Sequence, residues 1–246
     1  AEKTEYYLSS DVKLSSEHIE QVKKIVSKVE GKKLGVIGDS ITYGSGLTTG
    51  DKRWWEYVKD RYGFASVYSN AEIGRAFTQD GMMSTRFTQK IKELPNDLDV
   101  IIVFGGVNDR AFNAPIGTMD DEPKEDNQGI SFCSALRYTA EYLLTNHPNA
   151  QIIFMTPLPC NQGLGFNGKN ANGHRLQDYA DAIAEMCRSY GFDMVDLNRV
   201  GGFYVWSQNW LNTYMEDGIH PNNEGTKIYV HKGILPKLDS ILVERT

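Results

Sequence analysis

Val100-Ile101-Ile102-Val103-Phe104-Gly105-Gly106-Val107-Asn108-Asp109 is the stretch that decides the fold. A continuous apolar run this short, rich in β-branched residues and stopped by a glycine pair, suits a strand covered on both faces. Strands of that kind pair in parallel and need long crossover connections. Working outward, Leu34-Gly35-Val36-Ile37 ends at Gly38-Asp39-Ser40, and Ser66-Val67-Tyr68-Ser69 leads to Asn70 and Gly74. Ile152-Ile153-Phe154-Met155 stops at Thr156-Pro157, and Phe192-Asp193-Met194-Val195 stops before Asp196-Leu197. Between these runs, Cys133, Leu136, Ala140, Leu143 and Leu144 mark one helical stripe, and Leu176, Tyr179, Ala180, Ile183 and Cys187 another. Strand alternating with helix implies right-handed crossovers and a three-layer α/β/α sandwich around a parallel sheet.

That architecture opens its crevice at the carboxyl ends of the strands. Ser40, Gly74 and Asn108 each follow a predicted strand, so all three face one crevice. Ser40 follows Gly38, which allows a tight bend, and a serine hydroxyl becomes a nucleophile only when a base takes its proton. His220 lies in Asp217-Gly218-Ile219-His220-Pro221 and alone among the five histidines has a carboxylate at this close motif spacing. An imidazole changes charge near neutral pH, and a carboxylate bonded to one ring nitrogen fixes its tautomer. Serine, histidine, aspartate and amide donors together are the inventory of acyl transfer. Taken singly, each motif also reads blandly: a capping serine, a turn with a surface histidine, a turn-forming Asn-Asp pair.

In combination the four blocks resemble the SGNH/GDSL hydrolase superfamily, from about Lys33 to the last helix. The resemblance implies a flavodoxin-like strand order and a catalytic set of Ser40, Asp217 and His220. It also implies an oxyanion hole from the backbone N–H groups of Ser40 and Gly74 and the side-chain amide of Asn108. Asn70-Ala71-Glu72-Ile73-Gly74-Arg75 departs from the longer family pattern around that glycine, which makes Gly74 the least secured member of the set. Asp39 and Asp109 are expected to be structural. No metal or organic cofactor is required by this chemistry.

The 246 residues carry a net charge of −6, with 40% hydrophobic and 24% charged residues, an ordinary balance for a globular chain. The acidic balance and scattered lysines and arginines argue against nucleic acid or an anionic membrane surface as partner. No apolar run approaches the roughly 20 residues that span a bilayer. Ala1-Glu2-Lys3-Thr4 opens polar, unlike a secretory signal. Cys133, Cys160 and Cys187 make neither a disulfide framework nor a metal spacing, so the compartment stays open. Cys133 and Cys187 are expected in the core. His18, His147, His174 and His231 are expected at the surface or in helix packing.

Residues 1–32 read as an N-terminal helical extension, with 33–246 as the hydrolase domain. In the extension Ser15 or Ser16 caps a helix carrying Ile19, Val22, Ile25, Val26 and Val29, ended by Gly31. Long connections at about 107–128 and 157–172 follow strand ends and should wall the crevice. The acidic residues at 120–126 lack calcium-loop spacing and read as a solvated loop. Trp206, Trp210 and Tyr214, just before Asp217, are candidate substrate contacts; helix packing is the competing reading, especially for Phe203 and Trp206. Trp54 and Trp55 admit the same two readings.

The leading expectation is a serine esterase acting on small acyl groups, such as acetyl on a carbohydrate. The alternatives are a lysophospholipase- or thioesterase-type acylhydrolase, or a non-catalytic glycan-binding module on the same fold. Nucleotide binding fares badly, because Gly44-Ser45-Gly46 does not complete a dinucleotide fingerprint and no phosphate loop is present.

Overall fold

The computed structural model describes residues 25–79, 85–125, 130–161 and 168–245. Its first half runs β1 (Ile25–Ser27), β2 (Lys33–Gly38), α1 (Ser40–Tyr43), α2 (Trp54–Tyr62), β3 (Ser66–Ala71), α3 (Phe87–Lys90), β4 (Val100–Phe104) and α4 (Val107–Ala111). The second half runs α5 (Phe132–Asn146), β5 (Gln151–Met155), α6 (Leu176–Tyr190), β6 (Asp193–Val195), α7 (Leu197–Val200), α8 (Gln208–Tyr214), α9 (Asn223–Tyr229), α10 (Leu235–Leu242) and β7 (Val243–Arg245). A π-helical stretch, Val230–Ile234, joins α9 to α10.

β4 explains the layering. Its residues alternate between two cores, as the period of a strand requires. Val100, Ile102 and Phe104 pack with Trp54, Val58, Tyr62, Tyr229 and Leu238 on one side. Ile101 and Val103 pack with Phe87, Phe132, Leu136, Tyr179 and Ile183 on the other. All five are essentially buried, which is why the segment reads as an unbroken apolar run. Truncating Ile102 to alanine would remove a fully buried side chain, a change that typically costs about 2–5 kcal/mol.

The sheet is parallel, in the order β3-β2-β4-β5-β6, the flavodoxin-like order that the resemblance implied. The chain is a three-layer α/β/α sandwich. Helices start where polar caps permit: Ser131 accepts from the Ser134 N–H at the head of α5, and Asp178 accepts from the Arg175 N–H at the head of α6. Cys133 and Cys187 lie in the core, where burial pushes both thiols up to about 12. Cys160 is also buried, and the three are free thiols.

One expectation is overturned. Ile25–Ser27, read as the tail of an N-terminal helix, is extended and pairs antiparallel with β7. Val29 follows in the core, so this part of the chain is bound to the sandwich. A three-residue strand is too short to show a period of two, so apolar positions at helical spacing misled the reading. The remainder of that predicted helix, and His18, lie outside the described residues. Among the described residues no helix is long and apolar enough to cross a membrane.

Candidate active site

The chain turns sharply after β2. Asp39 caps α1, its carboxylate accepting from the Ile41 N–H at 3.0 Å, so Ser40 opens the helix instead of capping it. A side chain at Gly38 would collide with Thr42, and the turn therefore needs glycine there. Thr42 is held in turn by the indole N–H groups of Trp54 and Trp55, which bond its hydroxyl and its carbonyl at 3.2 Å each. Both tryptophans thus brace the serine turn, Trp54 from the core.

The histidine that faces Ser40 comes from late in the chain. His220 Nε2 lies 2.8 Å from Ser40 Oγ, across 180 residues of sequence. His220 Nδ1 lies 2.7 Å from Asp217 Oδ2. Asp217 Oδ1 also accepts from the N–H groups of Ile219 and His220 at 2.9 and 2.8 Å. Burial acts to raise the Asp217 carboxyl, but these bonds from His220 and Ile219 outweigh it and hold it below the usual range. An ionised Asp217 at Nδ1 leaves Nε2 as the nitrogen that faces the serine. Gly46, with φ of +90°, lets its loop press on this segment; a Cβ there would sit 2.6 Å from the Pro221 carbonyl oxygen.

Gly74 adopts φ of +81° in the loop after β3. Asn108 stands in the first turn of α4, and its Nδ2 donates to the Arg75 carbonyl at 2.9 Å. An amide carries two N–H groups. One fixes the side chain against the Gly74 loop.

Asp109 anchors the same loop. Its carboxylate accepts from the N–H groups of Phe77 and Thr78 and from the Thr78 hydroxyl, all within 3.0 Å. Burial pushes this carboxyl up to about 6 despite those bonds. Burial likewise pushes Asp39 up to about 7, against the pull of the Ile41 N–H and of Arg75. Both carboxylates were expected to be structural, and each spends its oxygens on backbone.

Arg75 was missed by sequence reasoning. It is fully buried, and its guanidinium donates to the carbonyls of Gly38, Asn70 and Thr85 while pairing with Glu72 at 3.1 Å. It therefore ties the end of β2 to the end of β3, while its own carbonyl receives Asn108. An arginine beside the loop glycine was the only signal, and nothing in the sequence named carbonyl partners so far away.

The remaining candidates separate by surroundings. Phe203 is buried and Trp210 packs on it at 4.8 Å, with Tyr214 against Trp210 at 5.0 Å. Trp206 is 65% exposed and Tyr204 46%. A cavity of about 460 Å³ lies behind Asp217, between Asn161 and α8. His147 is buried at the end of α5, and His231 packs edge-on against Tyr57. His174 meets Tyr179 edge-on at 6.1 Å. In the acidic loop Asp121 accepts from Thr118 and Ser131, and Glu125 pairs with Lys92; Asp126 lies outside the described residues. Among the described residues no group of three or more His, Cys, Asp or Glu is placed to hold a metal.

A model of the GDSL-like lipase/acylhydrolase family matches residues 36–228. A GDSL esterase/lipase of Arabidopsis thaliana is 26% identical over 163 residues, covering 60% of this chain; the chain spans about half, 48%, of that relative's length. A solved protein from Lactobacillus plantarum superposes with a TM-score of 0.74 at 27% identity, covering 86% of this chain and 98% of its own. A mutant form of an acetyl-xylooligosaccharide esterase from Geobacillus superposes at 0.57 and 18% identity, covering 85% and 95%, a likeness of fold.

Proposed function

The chain belongs to the GDSL-like lipase/acylhydrolase family, and we propose that it is a serine esterase working through an acyl-serine intermediate. The observation that carries this is the unbroken path of hydrogen bonds from Asp217 through His220 to Ser40, at 2.7 and 2.8 Å. Ser40 Oγ attacks the ester carbonyl carbon as its proton passes to His220 Nε2. The carbonyl π pair moves onto oxygen, where the Ser40 and Gly74 N–H groups and the Asn108 amide receive it. Collapse of this adduct breaks the bond to the alcohol oxygen, which leaves with the proton from His220. Water then gives a proton to His220 and attacks the acyl carbon; the acyl–serine bond breaks, and Ser40 recovers its proton. Asp217 stays ionised and stabilises the imidazolium in both steps. No metal or organic cofactor enters these steps.

The substrate we favour is a small acyl group, such as acetyl, on a carbohydrate. The polar composition of residues 157–172 and the exposed Tyr204 and Trp206, in the segment before Asp217, support that preference. One observation favours a second reading, an acylhydrolase for longer or aromatic esters. Tyr43 and Ile73, at 51% and 47% exposure, stand three residues after Ser40 and directly before Gly74.

The test is the initial rate on p-nitrophenyl acetate for wild type and Ser40→Ala prepared side by side. Loss of the nucleophile is expected to lower turnover by up to about 10⁶. Equal rates in the two proteins would sink the serine mechanism. A p-nitrophenyl ester series from acetate to decanoate separates the substrate readings: rates that rise with chain length favour the second.

A further inference from the structure

We propose that the cavity at the β6 edge of the sheet is a sugar-binding subsite for a neutral glycan chain, one ring of which carries the ester presented to Ser40. The placement of that ester rests on the esterase reading above; the sugar binding itself does not. The cavity measures about 550 Å³, within the size range of small-molecule sites. It is assembled where Pro159 follows β5, where Asn198 and Phe203 follow β6, and where Gln177 opens α6. These segments leave the carboxyl end of the sheet, the end at which Ser40 follows β2. β6 lies three strand steps from β2. At about 4.8 Å per step the cavity stands roughly 14 Å from the serine, about the span of three sugar rings.

The lining chemistry selects the occupant. Tyr204 and Trp206 line the cavity while remaining 46% and 65% exposed. They meet edge-to-face at 5.5 Å, and Trp210 backs Tyr204 at 6.2 Å, so the exposed rings are held in place. Aromatic side chains offer an apolar face with a polar tip, which matches the C–H face and hydroxyl rim of a pyranose. Gln177 Oε1 is buried without a hydrogen-bond partner. A buried acceptor left unpaired is costly, and a small turn of the Gln177 amide toward the cavity it lines would let a sugar hydroxyl donate to it. At the rim, Arg199 pairs with Asp181 at 2.8 Å and with Asp196 at 3.5 Å, so its positive charge is already met by carboxylates. That pairing favours a neutral ring over a phosphate or an acidic sugar. A lipid chain would instead ask for a continuous apolar lining.

The experiment titrates the whole chain with xylohexaose, cellohexaose and mannohexaose, following tryptophan fluorescence and heat of binding. Saturable binding of at least one hexasaccharide is expected. Trp206→Ala, at an exposed position, or Gln177→Ala should weaken it at least fivefold, and Ser40→Ala should retain it. No saturable binding of any of the three, or binding that survives both cavity substitutions, overturns the subsite. The p-nitrophenyl acetate comparison reports separately. Loss of turnover in Ser40→Ala without sugar binding removes the subsite alone; sugar binding without that loss removes the esterase reading alone.

Discussion

Around β2, β3 and β4 the carboxyl end of the sheet is fastened by buried charged side chains, whereas the Asp217 turn is fastened by its own backbone. On the first side Asp39, Arg75 and Asp109 are each at most 2% exposed, and all three spend their polar atoms largely on backbone. On the second side the Asp217 carboxylate is 48% exposed, and its partners come from its own turn. On the proposed mechanism Ser40, Gly74 and Asn108 stand on the first side, where donors already in position need not reorganise as charge develops. On the same proposal the Asp217–His220 pair stands on the second side, as do the exposed Tyr204 and Trp206. Interior fastening should therefore couple activity to stability, and the outer side should separate them.

Asp217→Asn tests the outer side with the largest effect. Turnover should fall by about 10⁴, because an asparagine no longer holds the productive imidazole tautomer. The melting temperature should stay within a degree or so, since an asparagine oxygen can keep the turn. A large thermal loss would erase the contrast between the two sides.

Asn108→Ala tests the inner side. Turnover should fall by about 10² to 10³ with KM little changed. Stability should fall as well, by about 1 kcal/mol, as the Arg75 carbonyl loses its donor. Denaturant melts beside steady-state kinetics read both, and a purely kinetic effect would count against the coupling.

Asp39→Asn gives the most pH-specific effect. A carboxyl raised in the folded state to about 7 contributes stability that is fully present below its unfolded value of 3.8. That contribution is lost as pH rises toward 7. Asparagine keeps the cap and cannot ionise. The variant should match wild type in thermal melts near pH 3.5 and exceed it increasingly toward pH 8. A constant difference across that range would remove Asp39 as the source.

The parts of this fold that were legible owe it to burial. β4 announced itself because both of its faces are covered, and α5 and α6 did so through one apolar stripe each, although Leu144 of the first stripe is 43% exposed. The Asp217–His220 pair was legible because its partners lie three residues apart, so local spacing carries the geometry. Arg75 was not, because its acceptors are carbonyls at Gly38, Asn70 and Thr85, and a carbonyl leaves no mark in a sequence. β1 was lost for a related reason, since its partner β7 lies at the other end of the described chain. The cavity at β6 escaped as a unit because Pro159, Gln177 and Trp206 belong to separate segments.

The 180 residues between Ser40 and His220 also order events in time. A chain made from its amino end folds behind the ribosome as units become complete. Ser40 and strands β2 to β5 are synthesised well before Asp217 and His220, but the face of β4 that Tyr229 and Leu238 cover closes only when those residues arrive. Until that late turn arrives and settles against Gly46, Ser40 remains an ordinary alcohol. A nascent chain, or one cut before Asp217, would carry Ser40 without its histidine, and on the proposed mechanism reactivity would appear only once the late turn is in place.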